Sequence, residues 1–225
     1  MTFEMAVFAT NRPRVKICCI GSLREARMAI EYGASALGLV SEMPSGPGVI
    51  SEEMIAEIAS VVPPPIATFL LTCKEDAASI IAQQRRCRVN TIQLCDRVAP
   101  ANYAAMREAM PGVSLVQVVH VTGQEAIAEA LTVSAHVDAL LLDSGNPSLP
   151  VKELGGTGRT HNWHISRAIV EAVDVPVFLA GGLNPYNVAE AVEKVRPFGL
   201  DVCSGVRIDN QLDEEKLKQF FASIA

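Results

Sequence analysis

Long apolar runs are missing from this chain: none approaches the roughly 20 residues that a membrane-spanning helix needs. Basic stretches are missing too. The 25 Asp and Glu outnumber the 19 Lys and Arg, giving a net charge of -6, and no basic stripe is interleaved with aromatics. This balance argues against nucleic acid and against an anionic membrane surface as partners. The six cysteines, Cys18, Cys19, Cys73, Cys87, Cys95 and Cys203, lack metal-ligand spacing, so no metal is expected. They read as free thiols of a reducing cytoplasm. Met1 to Arg14 carries Glu4 and lacks the basic start of a secretory signal, and it reads as a loose extension over residues 1–14.

What the chain does have is short apolar runs. Hydrophobic residues make up 49% of the 225, in strand-length pieces such as Ala139-Leu140-Leu141-Leu142. Continuous apolar runs of that length suit parallel strands covered on both faces. Strands are expected at Val15–Ile20, Ala36–Val40, Ile66–Leu71, Thr91–Leu94, Val113–Val119, Ala139–Leu142, Pro176–Ala180 and Leu200–Cys203. A helical pattern follows each one. Ser22 with Glu25 forms a capping box at the first helix, and Pro63-Pro64-Pro65 closes the second. Asn184 is placed to cap a helix opened by Pro185. Eight strand–helix units at roughly 28 residues each fit a compact (β/α)8 TIM barrel over residues 15–225, with no composition shift to mark a second domain. A doubly wound sheet is the competing architecture. It would place a glycine fingerprint after the first strand, where this chain has Cys18-Cys19-Ile20-Gly21.

Two glycine loops stand out. Gly181-Gly182 follows the seventh strand and Ser204-Gly205 the eighth. Loops at the last two strands of a barrel commonly bind a phosphate through free backbone N–H groups. Tight strand-to-helix turns are the plainer reading of the same glycines. A third glycine cluster, Gly155-Gly156-Thr157-Gly158, lies within the long loop from Asp143 to Trp163. A loop of that length in a compact domain suits a lid.

Catalytic groups of such barrels come from the C-terminal ends of the strands. Cys18 ends the first strand and Asp143 the sixth. Side chains alternate along a strand, so Lys16 and Cys18 pointing into the mouth implies that Cys19 points out to the helices. Taken singly, Cys18 suits a small core residue and Asp143 a loop cap. Lys16 suits either an ion pair across the barrel or support of a Cys18 thiolate. His120 is a second-tier candidate, and Trp163 suits packing under the long loop near His161 and His164.

Together these segments resemble the phosphoribosylanthranilate isomerase family. Its carriers here are Val15-Lys16-Ile17-Cys18, Gly33-Ala34 with Gly38-Leu39-Val40, Ile92-Gln93-Leu94 and Leu141-Leu142-Asp143-Ser144. With them go Gly155-Gly156-Thr157-Gly158, Leu179 to Pro185, and Asp201-Val202-Cys203-Ser204-Gly205-Val206. The resemblance implies a cofactor-free barrel that performs an Amadori rearrangement in tryptophan biosynthesis, on a phosphosugar substrate; the sequence does not choose between monomer and homodimer. It implies Cys18 as general base and Asp143 as general acid. Gly181, Gly182, Ser204 and Gly205 become phosphate binders with Asp201 alongside; Lys16 supports the site, and Gly155 to Arg159 form a lid. A diverged isomerase of another phosphorylated aminosugar, and a non-catalytic barrel that binds a phosphate ligand, remain as alternatives.

Four positions depart from the family pattern. Cys19 stands where glycine is usual. The loop Ser41 to Gly48 lacks the arginine that meets the anthranilate carboxylate. Cys95-Asp96 replaces His-Gly, and Arg207 replaces an acidic residue. Arg159 and Arg207 are the cations offered for the missing charge.

Overall fold

The computed structural model describes residues 12–225. The proposed extension therefore lies outside the described residues as far as residue 11, and Arg14, its last residue, already belongs to a strand. Eight strands and eight helices alternate. They are β1 (Arg14–Ile17), α1 (Leu23–Glu31), β2 (Ala36–Val40), α2 (Glu52–Val61), β3 (Ala67–Thr72), α3 (Ala77–Cys87), β4 (Thr91–Leu94), α4 (Pro100–Ala109), β5 (Ser114–His120), α5 (Glu125–Ser134), β6 (Ala139–Asp143), α6 (Trp163–Ala172), β7 (Val177–Leu179), α7 (Val188–Val195), β8 (Gly199–Val202) and α8 (Glu214–Ala222). The strands are parallel and close into a barrel in chain order, with β1 paired to β8. This is a (β/α)8 barrel.

The alternation of side chains builds two cores. Leu37, Leu39, Leu70, Ile92, Leu94, Leu140, Leu142, Leu200 and Val202 face the helices in one cluster. Ala36, Val40, Phe69, Leu71, Val116, Val118, Ala139, Leu141 and Phe178 fill the barrel in another. That parity is what places chemistry at the mouth. Lys16, Gly38, Gln93, His120, Asp143 and Asp201 all sit on inward-facing positions.

Helix boundaries follow local chemistry. Ser22 Oγ accepts the Glu25 N–H at 3.2 Å, while the Glu25 carboxylate accepts from Gly21 rather than from Ser22, a capping box shifted by one residue. Ser51, Asp76 and Asp213 cap α2, α3 and α8 in the same way. Asn184 departs from its expected role. Its Oδ1 accepts from the Tyr186 N–H in a local Asx turn, and α7 starts only at Val188, with Asn187 before it. Before α8, Arg207–Ile208 (β9) and Gln211–Leu212 (β10) form a small antiparallel hairpin.

Candidate active site

β1 ends at Ile17, so Cys18 and Cys19 leave the barrel on a turn rather than on a strand. Cys18 stays on the inward parity and lines the central cavity together with Asp143. Cys19 does not point to the helices as alternation predicts. Its backbone is left-handed (φ +62°), and the residue joins Cys18 in the inner cluster and lines the same cavity. The alternation rule ends where the extended backbone ends. Glycine is the residue this conformation favours, so Cys19 holds a backbone that L side chains seldom adopt.

Lys16 is fully buried and donates to Asp201 Oδ1 at 2.8 Å, from the residue paired with it on β8. Burial alone pushes an ammonium's pKa down. The Asp201 carboxylate, helped by the nearby Cys18, outweighs it and holds Lys16 well above its ordinary value. Asp201 thus holds Lys16 through Oδ1, and it also lines the cavity. A carboxylate accepts hydrogen bonds, so it binds an ammonium and repels a phosphate.

Asp143 ends β6 beside His120 in register and is 8% exposed. Burial pushes its carboxyl pKa up, against the opposing pull of the Ser144 N–H, which donates to Oδ1 at 2.7 Å, and of His120. Gly155 lies directly over it, since a Cβ there would approach Asp143 Oδ2 to 2.7 Å. The long loop is therefore folded down on the site. Thr157 Oγ1 meets Ser144 Oγ at 2.6 Å, and Ser45 Oγ donates to the Lys152 carbonyl at 2.7 Å. Lys152 also pairs with Asp96, the residue that departs from the family pattern after β4.

The two phosphate-loop candidates touch each other. A Cβ on Gly205 would fall 1.9 Å from the Leu183 carbonyl oxygen, and a Cβ on Gly182 would meet the backbone of Arg159 and Thr160 at 2.8 Å. Gly181 and Gly182 have φ of +83° and +63°. Among the described residues no backbone acceptor meets their N–H groups. Ser204 and Gly205 open a single 3₁₀ turn, whose first N–H groups lack an internal partner. His161 packs behind Gly181, with burial lowering its pKa to about 4, so it is neutral there.

Neither proposed cation reaches the cavity. Arg159 is exposed and pairs with Glu153 on its own loop. Arg207 is buried and binds Glu25, while its Nη2 donates to the carbonyl oxygens of Cys18 and Cys19 at 3.1 and 2.7 Å. It shapes the turn that carries Cys18 and does not face the ligand. Among the described residues, no lysine or arginine lines the cavity.

One functional position escaped the sequence reading. A Cβ on Gly38 would approach Cys18 Sγ and Lys16 Nζ to 2.9 Å each. Glycine in the interior of β2 is what leaves room for both side chains. A glycine inside a strand is the available signal, because it marks a close approach.

The family model for N-(5'phosphoribosyl)anthranilate (PRA) isomerase matches residues 15–223. The chain belongs to the PRA isomerase family. The PRA isomerase of Methanocella arvoryzae is 34% identical over 92% of this chain and 95% of its own length. That of Haloarcula marismortui is 36% identical over 86% of each. The crystal structure of the Thermotoga maritima family member superposes with a TM-score of 0.81 at 29% identity, over 94% of this chain and 98% of that one. Another crystallised PRA isomerase, 27% identical with a TM-score of 0.78, is in complex with reduced 1-(o-carboxyphenylamino)-1-deoxyribulose 5-phosphate; it covers 94% of this chain and 98% of its own. The family's reaction is an isomerisation in tryptophan biosynthesis, and this chain is an isomerase of that kind. Among the described residues no helix is long and apolar enough to cross a membrane.

Proposed function

We propose that Cys18 and Asp143 are the base and acid that isomerise N-(5'-phosphoribosyl)anthranilate in this barrel. The carrying observation is the pairing of environments. A buried carboxyl with a raised pKa and a thiol on the inward face of the turn after β1 line one cavity, at whose rim two glycine loops meet.

The chemistry follows from those roles. Asp143, whose carboxyl pKa burial raises, gives its proton to the furanose ring oxygen, and the ring opens to an iminium. Cys18 as thiolate removes the C2 proton, giving an enolamine that becomes the ketone. The phosphate rests on the N–H groups of Gly181, Gly182, Ser204 and Gly205, which fixes the sugar between acid and base. Lys16 supplies a positive charge behind Cys18, and Asp201 keeps it in place. The loop from Gly155 to Gly158 excludes water above Asp143. A family relative crystallised with a carboxyphenylamino-deoxyribulose phosphate supports a phosphosugar as the ligand here.

The test is steady-state turnover of this substrate. Positioned acid or base groups contribute about 10²–10⁴-fold, and Cys18→Ala and Asp143→Asn should each lower kcat by that order. Undiminished turnover by both variants would overturn the assignment.

A further inference from the structure

Four of the six cysteines, Cys18, Cys19, Cys95 and Cys203, line the mouth of the barrel, and the proposed reaction uses only Cys18. Cys19 and Cys203 have no part in it, yet their sulfurs lie 2.9 Å apart. They are 184 positions apart in sequence and meet because β1 pairs with β8: the Cys18 N–H donates to the Val202 carbonyl at 2.8 Å, one step before each thiol. The backbone fixes the contact. Cys19 is held left-handed at φ +62°, and Arg207 clamps its carbonyl. The bare Cα of Gly48 makes room for it, because a Cβ there would come within 2.5 Å of Cys19 Cβ. None of the six cysteines is in a disulfide.

We propose that Cys19 and Cys203 are an oxidisable thiol pair, which hydrogen peroxide converts to a disulfide across the closing seam of the barrel. Neighbouring strands lie about 4.8 Å apart, within reach of the roughly 4.4–6.8 Å that a disulfide needs between Cα atoms. The sulfurs must approach by about 0.9 Å to reach a bond of about 2.05 Å. Cys203 is the attacking thiol. It is the more exposed of the two, and its hydrogen bonding with Cys19 lowers its pKa against the effect of burial, with Arg207 adding positive charge nearby. Cys19 is shifted the other way by hydrogen bonding to Cys18 and Cys203 and by burial.

The electrons balance in two steps. The Cys203 thiolate attacks one peroxide oxygen, the O–O bond breaks, and hydroxide leaves and is protonated to water. This gives a sulfenic acid. Cys19 sulfur then attacks the sulfenic sulfur, the S–O bond breaks, and the departing oxygen leaves as water with the Cys19 proton. Two thiols lose two electrons and two protons, and one peroxide becomes two waters. The new bond draws the Ser204–Gly205 turn toward the Cys18 loop, so the oxidised form binds the sugar phosphate more weakly. This second part rests on the phosphate reading above.

The whole chain is treated with hydrogen peroxide, and its thiols are titrated in denaturant. The expected count falls from six to four. Non-reducing peptide mapping should find a linked pair two hydrogens lighter, with fragmentation placing the bond at Cys19 rather than Cys18. Cys203→Ser should abolish that linked pair. Retention of all six thiols, or oxidation confined to Cys18, would overturn the proposal. For the second part, KM of the oxidised enzyme should rise several-fold and return on treatment with dithiothreitol. A disulfide that leaves KM unchanged overturns the coupling to phosphate and leaves the thiol pair standing, so the two readings fail separately.

Discussion

The ammonium of Lys16 and the carboxylate of Asp201 lie 2.8 Å apart on the two strands that close the barrel, with Lys16 inaccessible to solvent. Each compensates the burial of the other, and together they form a charged floor under Cys18.

Breaking this pair by removing one partner strands a buried charge, which typically costs about 3–5 kcal/mol. Asp201→Asn should therefore lower the free energy of unfolding in urea by that order. The double variant Lys16→Met with Asp201→Leu should recover much of the loss, because no charge is left buried. It should still turn over substrate poorly, since the positive charge behind Cys18 has gone.

Gly38 separates packing from chemistry. A methyl group there meets both Cys18 Sγ and Lys16 Nζ at 2.9 Å. Gly38→Ala should displace the thiol and lower kcat by up to about 100-fold. KM should change little, because the phosphate loops lie at the ends of β7 and β8 and not at β2. An unaltered kcat would show that the space around Cys18 is not limiting.

Asp143 carries opposite consequences for activity and stability. Its folded pKa is raised, chiefly by burial. Below the unfolded value both states are protonated and the folded state suffers no penalty. As pH rises through the folded value, a charge is buried and stability is lost. Asp143→Asn should thus be more stable than the parent near neutral pH, while having lost most of its turnover. The stability gain should shrink as pH falls toward the ordinary aspartate range. Thermal unfolding across pH 4 to 8, about the span between those limits, measures it; a gain independent of pH would contradict the raised pKa.

Glu25 behaves in the reverse sense. Burial alone would raise its pKa, but hydrogen bonds from Arg207, Gly21 and Leu212 outweigh that and lower it. Its contribution is present at neutral pH and lost as pH falls through the lowered value. Glu25→Gln should weaken the parent's acid-sensitive stability. It should also loosen Arg207, and through it the turn holding Cys18 and Cys19, so a fall in kcat should accompany the loss of stability.

Local pattern sufficed for much of this protein. The eight strands were legible because each is a short apolar run with turn residues on either side, and Asp143 was legible at the end of the sixth run. Cys18 and the glycine loops were legible for the same reason, at the C-terminal ends of strands β1, β7 and β8. The limits of local pattern also have particular addresses. Cys19 was misplaced because alternation holds only for extended backbone, and this residue is left-handed. The contact of Asp201 with Lys16 was not legible, because the two residues are 185 positions apart. Arg207 was offered to the ligand, although a hairpin folds it inward onto Glu25 and the Cys18 turn. Closure of the barrel decides these contacts. Pairing β1 with β8 joins the two ends of the chain in one register, and that register sets the Lys16–Asp201 ion pair, the Arg207 clamp and the Cys19–Cys203 contact. No spacing within either segment encodes such a non-local pairing, whereas the identity of the strands and of their terminal side chains is written in each segment alone.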